Sequence, residues 1–152
     1  MALSTVPLPD PTPTSRPFWA ALNRDELRLQ RCDACMAWVY YPRNRCPVCG
    51  SAQLSWSRVD PLGTVYTFTV ARKPTAPPFA DAVPQVIAIV ELDVGVRMTC
   101  TLTDIEPDAV YVGLPVHGVF DHIADSTTLL RFAPRRQEPD GVPDRADRGV
   151  VR

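Results

Sequence analysis

The sequence predicts a mostly β protein: a short N-terminal helix, a cysteine-held ribbon and a five-stranded antiparallel barrel, in that order. Three observations carry this. Seventeen prolines, concentrated at both ends and in the middle loops, argue against long helices and favour short strands joined by loops. Four of the five cysteines fall between Arg31 and Gly50 as two C-x2-C pairs. Five short runs rich in β-branched and aromatic residues then crowd the stretch from Gly63 to Ala133. With 45% hydrophobic and 22% charged residues, the chain has a globular rather than a disordered composition.

Residues 1–14 are rich in Pro, Ser and Thr and are expected to lack fixed structure. Ser15 is placed to cap a helix in Arg16–Leu27, with Pro17 tolerated in its first turn. Phe18, Trp19 and Leu22 line one face of it at spacings of three and four. So short a helix is marginal alone, so that face must dock, on its own chain or on a partner. Residues 15–30 therefore read as helix and lead-in, 31–58 as the ribbon and 59–133 as the barrel. Within the barrel the runs are Gly63–Arg72, Pro84–Asp93, Val96–Leu102, Pro115–Ile123 and Thr127–Ala133. The first alternates; the second is continuously apolar and is expected to be buried on both faces. Val94-Gly95 and Ala124-Asp125-Ser126 are tight turns. Between the third and fourth runs, where an OB-fold often carries a helix, Pro107 permits one turn at most. Residues 134–152 are charged and Pro/Gly-rich, and are expected to be a disordered tail.

Cys32, Cys35, Cys46 and Cys49 make the pattern C-x2-C-x10-C-x2-C. Each C-x2-C forms a knuckle that aims two sulfurs at one point, and two knuckles make a tetrahedral S4 site. Zinc is the expected metal, with rubredoxin-type iron the competitor. Gly50 follows the second knuckle, where a positive φ lets backbone N–H groups face a thiolate. Met36 occupies the matching place after the first, so that turn is expected to be made differently or with strain. A dithiol redox centre would need only one exposed, low-pKa pair. Catalytic zinc would need an open position, which four thiolates do not leave. The ribbon reads as a staple for a segment too small for its own core.

Other chemistry is thin. Cys100, in an apolar strand, reads as a small buried hydrophobe. His117 and His122 sit five apart on a predicted strand and face opposite sides. No His–Asp or Ser–His constellation emerges, the carboxylates from Asp60 to Asp121 form no spaced pair, and there is no Gly-rich phosphate loop. The net charge of −1 provides no global field toward nucleic acid or an anionic membrane. The N-terminus lacks the basic and apolar regions of a secretory signal, and no stretch reaches the length of a membrane span. A cytoplasmic location is expected, where thiols stay reduced and free for metal.

The order of motifs resembles one family. "LRLQRCDAC", "YPRNRCPVCGS", "LSWSRVDPLGTVYTFTV", "PQVIAIVELDVGVRM" and "VGLPVHGVF" together are similar to the DUF35 family, over about Ser15 to Pro134. The resemblance implies a rubredoxin-like zinc ribbon joined to an OB-fold, with Cys32, Cys35, Cys46 and Cys49 as metal ligands. It implies a non-catalytic accessory or scaffold subunit, not an enzyme by itself. Such subunits assemble with thiolase-fold enzymes (thiolase, HMG-CoA synthase or lipid-transfer-protein-like aldolases) or with MaoC-like enoyl-CoA hydratases, in lipid, steroid or polyketide metabolism. There the OB-fold helps hold an acyl-CoA thioester as a shared ligand. The chain departs from the pattern at Met36 and at Pro61-Leu62, where glycines are common.

A bound CoA would need cations for its phosphates, and Arg72 and Lys73, at the end of the first barrel strand, are the candidates. The following Pro-rich loop with Phe79 is a candidate lid facing a partner or the pantetheine. Two alternatives stand beside this reading. One is single-stranded nucleic-acid binding, which ribbons and OB-folds support but which lacks a basic, aromatic-studded stripe here. The other is an iron-loaded electron-transfer ribbon.

Overall fold

A computed structural model of the chain describes residues 7–74 and 76–135. The expectations for residues 1–6 and 136–152 lie outside the described residues. One helix, α1 (Arg16–Leu22), is followed by a ribbon sheet of β1 (Leu27–Cys32), β2 (Trp38–Val39) and β3 (Leu54–Val59). The barrel is built from β4 (Leu62–Ala71), β5 (Gln85–Leu92), β6 (Arg97–Leu102), β7 (Pro115–Ala124) and β8 (Thr127–Pro134). The five predicted barrel strands are all present, with ends moved by one residue at most.

The helix is shorter than expected. It ends at Leu22 because Asp25 takes a left-handed conformation (φ 56°) and turns the chain back. The Asp25 N–H donates to Leu22 C=O and the Glu26 N–H to Ala21 C=O, the paired closure usually made around a glycine. No Gly marks the stop, so a sequence reading runs through it, and β1 is the element thereby missed. Ser15 stands at the helix start, but its hydroxyl does not cap the helix. It is buried and bonds back to Thr12 instead, accepting from the Thr12 N–H at 3.0 Å.

β1 pairs with β2 and β3 in the ribbon, whereas the barrel order is β4-β5-β6-β8-β7, with β7 returning to β4. All contacts but one are antiparallel ladders. β6 and β8 run parallel and meet only at Leu102 and Phe132, where the Thr103 N–H donates to Phe132 C=O at 2.8 Å. This leaves a seam. A single 3-10 turn at Pro107–Ala109 is the only helical element in the connection from Leu102 to Pro115, where an OB-fold often has its helix. α1 covers the seam instead: Phe18 and Leu22 are 3% and 1% exposed and join the barrel core with Leu92, Val116 and Phe132. Each such side chain contributes roughly 1.5–3 kcal/mol of burial. The apolar helix face thus docks on its own chain.

β5 corrects one expectation. It is not buried on both faces but alternates strictly, with Val86, Ala88, Val90 and Leu92 inward and Ile87 and Ile89 half-buried outside. The Pro61-Leu62 departure is accommodated in register. Leu62 opens β4 opposite His117, and Pro61 packs so close to Gly118 that a Cβ there would lie 2.6 Å from the proline ring. Gly63 is equally constrained, since a Cβ would meet the Glu91 carbonyl oxygen at 2.2 Å.

Candidate metal centre and the cavity beside it

The two knuckles have the same backbone. In the first, the Cys32 N–H donates to Ala37 C=O and the Met36 N–H to Cys32 C=O; in the second, Cys46 donates to Ser51 and Gly50 to Cys46. Met36 (φ 62°) adopts the same left-handed turn as Gly50 (φ 75°), so the first turn is made with strain rather than differently. Met36 is 54% exposed and packs little. Met36→Gly is therefore expected to raise stability by about 1 kcal/mol, read by thermal unfolding of the metal-loaded protein. An unchanged or lower midpoint would show that the turn is not strained.

The four cysteine sulfurs lie within 4.8 Å of one another, with Cys32–Cys49 and Cys35–Cys46 each at 3.6 Å. A tetrahedron of sulfurs about 2.3 Å from zinc has edges of about 3.8 Å, so the residues present fit that ion. Backbone N–H groups aim at the sulfurs, as the Val48 N–H does at Cys46 Sγ (3.4 Å). The Cys35 N–H, with that of Ala34, brings the Cys32 thiol down to about 7. The N–H groups of Cys49 and Val48 lower that of Cys46. For Cys35 the Ala37 N–H also favours the thiolate, but the neighbouring sulfurs and burial outweigh it and push the thiol up to about 12. Crowded thiolates of this kind need a cation among them.

Behind the sulfurs the ribbon has a small core of Cys32, Val39 and Cys46. Polar bonds carry the rest of its loop. Buried Gln30 clamps the Arg43 peptide at both ends, accepting from its N–H (2.7 Å) and donating to its C=O (3.0 Å). The same loop carries Tyr40 and Tyr41 against α1. The Phe18 ring stands 6.0 Å from Tyr40 and 5.8 Å from Tyr41, and Trp19 Nε1–H donates to Tyr41 Oη at 2.9 Å.

These aromatics wall a cavity of ≈ 380 Å³ over the β6–β8 seam. Cys100 lines it, which corrects its reading as a buried hydrophobe. It faces inward between Met98 and Leu102 but is only half-buried, because the parted strands open beside it. Burial pushes its thiol up to about 12, so it stays protonated and unreactive at neutral pH. Phe79, in a 3-10 turn at Pro77–Ala82, also lines the cavity. Arg72 follows β4 and pairs with Asp108 at 3.6 Å, both largely exposed; Lys73 is exposed beside it.

A second correction concerns His122. Its Nε2 lies 2.9 Å from Asp25 Oδ1 and its Nδ1 2.9 Å from Thr128 Oγ1, a His–Asp constellation joining residues 97 positions apart. The carboxylate can only accept, so Nε2 carries a proton. Thr128 is 1% exposed, so no substrate reaches its hydroxyl. Asn23 Nδ2 donates to Ser126 C=O at 2.8 Å nearby. The group clasps the helix–ribbon corner to the β7–β8 hairpin. His117 lies elsewhere, opposite Ala133.

A four-cysteine ribbon joined to a closed five-stranded barrel defines a zinc-ribbon and OB-fold protein. The family model for the ChsH2 rubredoxin-like zinc ribbon domain matches residues 19–55, and that for the ChsH2 C-terminal OB-fold domain matches residues 56–121. A DUF35 domain-containing scaffold protein of Methanocaldococcus jannaschii is 38% identical over 98 residues, 62% of this chain and 67% of that one. The chain belongs to the DUF35 family. A protein of Thermomonospora curvata named "Probable enoyl-CoA hydratase alpha subunit" is 40% identical over 102 residues. That match takes in 65% of this chain but only 31% of the relative's length. Among solved structures, a chain of "Ltp2-ChsH2(DUF35) aldolase" is 32% identical with a TM-score of 0.75, covering 83% of this chain and 98% of that chain. No helix among the described residues is long and apolar enough to cross a membrane.

Proposed function

We propose that this chain is a non-catalytic accessory subunit that docks on a thiolase-fold aldolase or a hydratase and helps form an acyl-CoA site. The observation that carries this is the fold match to nearly the whole of a chain of the Ltp2-ChsH2(DUF35) aldolase. The hydratase relative supports the same class of partner. Cys32, Cys35, Cys46 and Cys49 hold zinc, whose contribution is to fold the ribbon. In a reducing cytoplasm their thiols remain available for it. Docking falls to helix and ribbon. Between residues 16 and 58 seven arginines face only Asp25, Glu26 and Asp33, a positive balance suited to an acidic partner surface. Arg72 and Lys73 contact the CoA phosphates at the barrel rim. The exposed Arg72–Asp108 pair is weak enough for a phosphate to displace.

Co-expression with thiolase-like and hydratase genes from the same genome, followed by co-purification, tests the reading. One such enzyme is expected to be retained through gel filtration in a fixed ratio. Retention of none would refute it. Tight, salt-sensitive oligonucleotide binding would favour the nucleic-acid alternative, and a coloured, redox-active protein the iron one.

A further inference from the structure

We infer that Arg31 and Arg45 are paired straps of the metal centre: each closes one cysteine knuckle from outside and governs how long the ion is kept. The inference rests on the zinc reading above and concerns two side chains that hold no metal themselves. Both knuckles repeat one pattern, Arg-Cys-x2-Cys followed by a residue of positive φ, as Arg31 to Met36 and as Arg45 to Gly50. In each, the arginine before the first cysteine reaches over the loop to the carbonyl of the residue after the second. Arg31 Nε donates to Met36 C=O at 3.4 Å, and Arg45 Nη1 donates to Gly50 C=O at 3.1 Å.

These bonds complete the turns. The residue of positive φ already donates its N–H to the first cysteine's C=O, at 2.8 Å for Met36 and 2.9 Å for Gly50. With the guanidinium in place it is held at both its N–H and its C=O. That matters to the sulfurs, because the loop N–H groups, Val48 to Cys46 Sγ at 3.4 Å among them, point at the thiolates only while the turn keeps its shape. The two straps carry unequal loads. Gly50 takes its φ of 75° freely, whereas Met36 at 62° is strained toward right-handed backbone. The Arg31 guanidinium is itself fixed, lying 5.0 Å from the ring of Trp38, its neighbour across the β1–β2 ladder. Neither arginine is buried, so its charge is screened and the hydrogen bond is its main contribution.

Zinc release from the metal-loaded full chain to an excess of a colorimetric chelator tests this. Arg31→Met and Arg45→Met keep the aliphatic stem and lose the donors. Each is expected to release zinc about tenfold faster than the wild type, the usual effect of removing a group that orients a metal ligand. Arg31→Met is expected to be the faster of the two. Met36→Gly should slow release about threefold more in the Arg31→Met chain than in the wild type, because glycine removes the strain that this strap opposes. The acceleration should persist in about 1 M salt, where exposed charges are screened. Arg45→Met decides the matter if Arg31→Met takes up no zinc. Wild-type release from Arg45→Met, or an acceleration that vanishes in salt, would overturn the inference. An equal gain from Met36→Gly in both backgrounds would overturn the part assigned to Arg31. Metal analysis of the wild type is read separately. A chain without zinc refutes the metal reading itself, and one that holds zinc but is indifferent to both substitutions refutes the straps alone.

Discussion

Cys46→Ser is expected to lose the metal and the folded ribbon together, with partner docking lost as a consequence. Three sulfurs and a hydroxyl make a poor site, and metal binding to small ribbons of this kind contributes about 10–16 kcal/mol of folding free energy. Little else could replace it. Only Cys32, Val39 and Cys46 are buried in the ribbon's own cluster, and two of these belong to the four-cysteine group. The barrel should survive, because its core of Val65, Val90, Leu92, Val116 and Phe132 lies outside the ribbon. Metal analysis, amide exchange of residues 32–50 and co-purification would be compared with the wild type. A variant that kept one zinc, or that docked normally without it, would show the ribbon to be dispensable.

Phe18→Ala is expected to destabilise the protein by about 3–5 kcal/mol, the usual cost of removing a buried phenyl ring. Phe18 is 3% exposed and touches both the barrel core and the rings of Trp19, Tyr40 and Tyr41. Its removal undoes the packing that holds α1 over the seam, so the loss should extend beyond one side chain. Denaturant unfolding measures the stability, and a red shift of Trp19 emission reports exposure of the helix face. A loss below about 1 kcal/mol would mean that the helix is not held by this ring. The metal site should be unaffected, because the sulfurs are positioned by backbone hydrogen bonds within the knuckles. The two substitutions thus separate the staple from the joint.

The features legible in the sequence are those set by neighbours along the chain. The spacing of Cys32, Cys35, Cys46 and Cys49 is local within each knuckle, and alternation with turn residues places five strands to within one residue. Where a local signal was absent, the reading failed. Asp25 ends α1 in a left-handed conformation that glycine usually marks, so the sequence shows no stop before β1. His122 and Asp25 carry no joint signature, since 97 positions separate them and only the packing of the hairpin on the corner brings them to 2.9 Å. The half-exposure of Cys100 was equally hidden. A strand pattern says which way a side chain points, not whether the next strand lies close enough to cover it.

The sequence by itself determined the class of this protein: a four-thiol knuckle pair ahead of a five-stranded barrel, since both follow from short-range spacing and periodicity. Only the tertiary structure decided that α1, not a helix within the barrel, covers the seam. It also decided that the aromatics of helix and ribbon loop enclose a cavity there. The physical reason is that β6 and β8 meet in parallel at a single pair, and how far two strands diverge depends on everything packed between them.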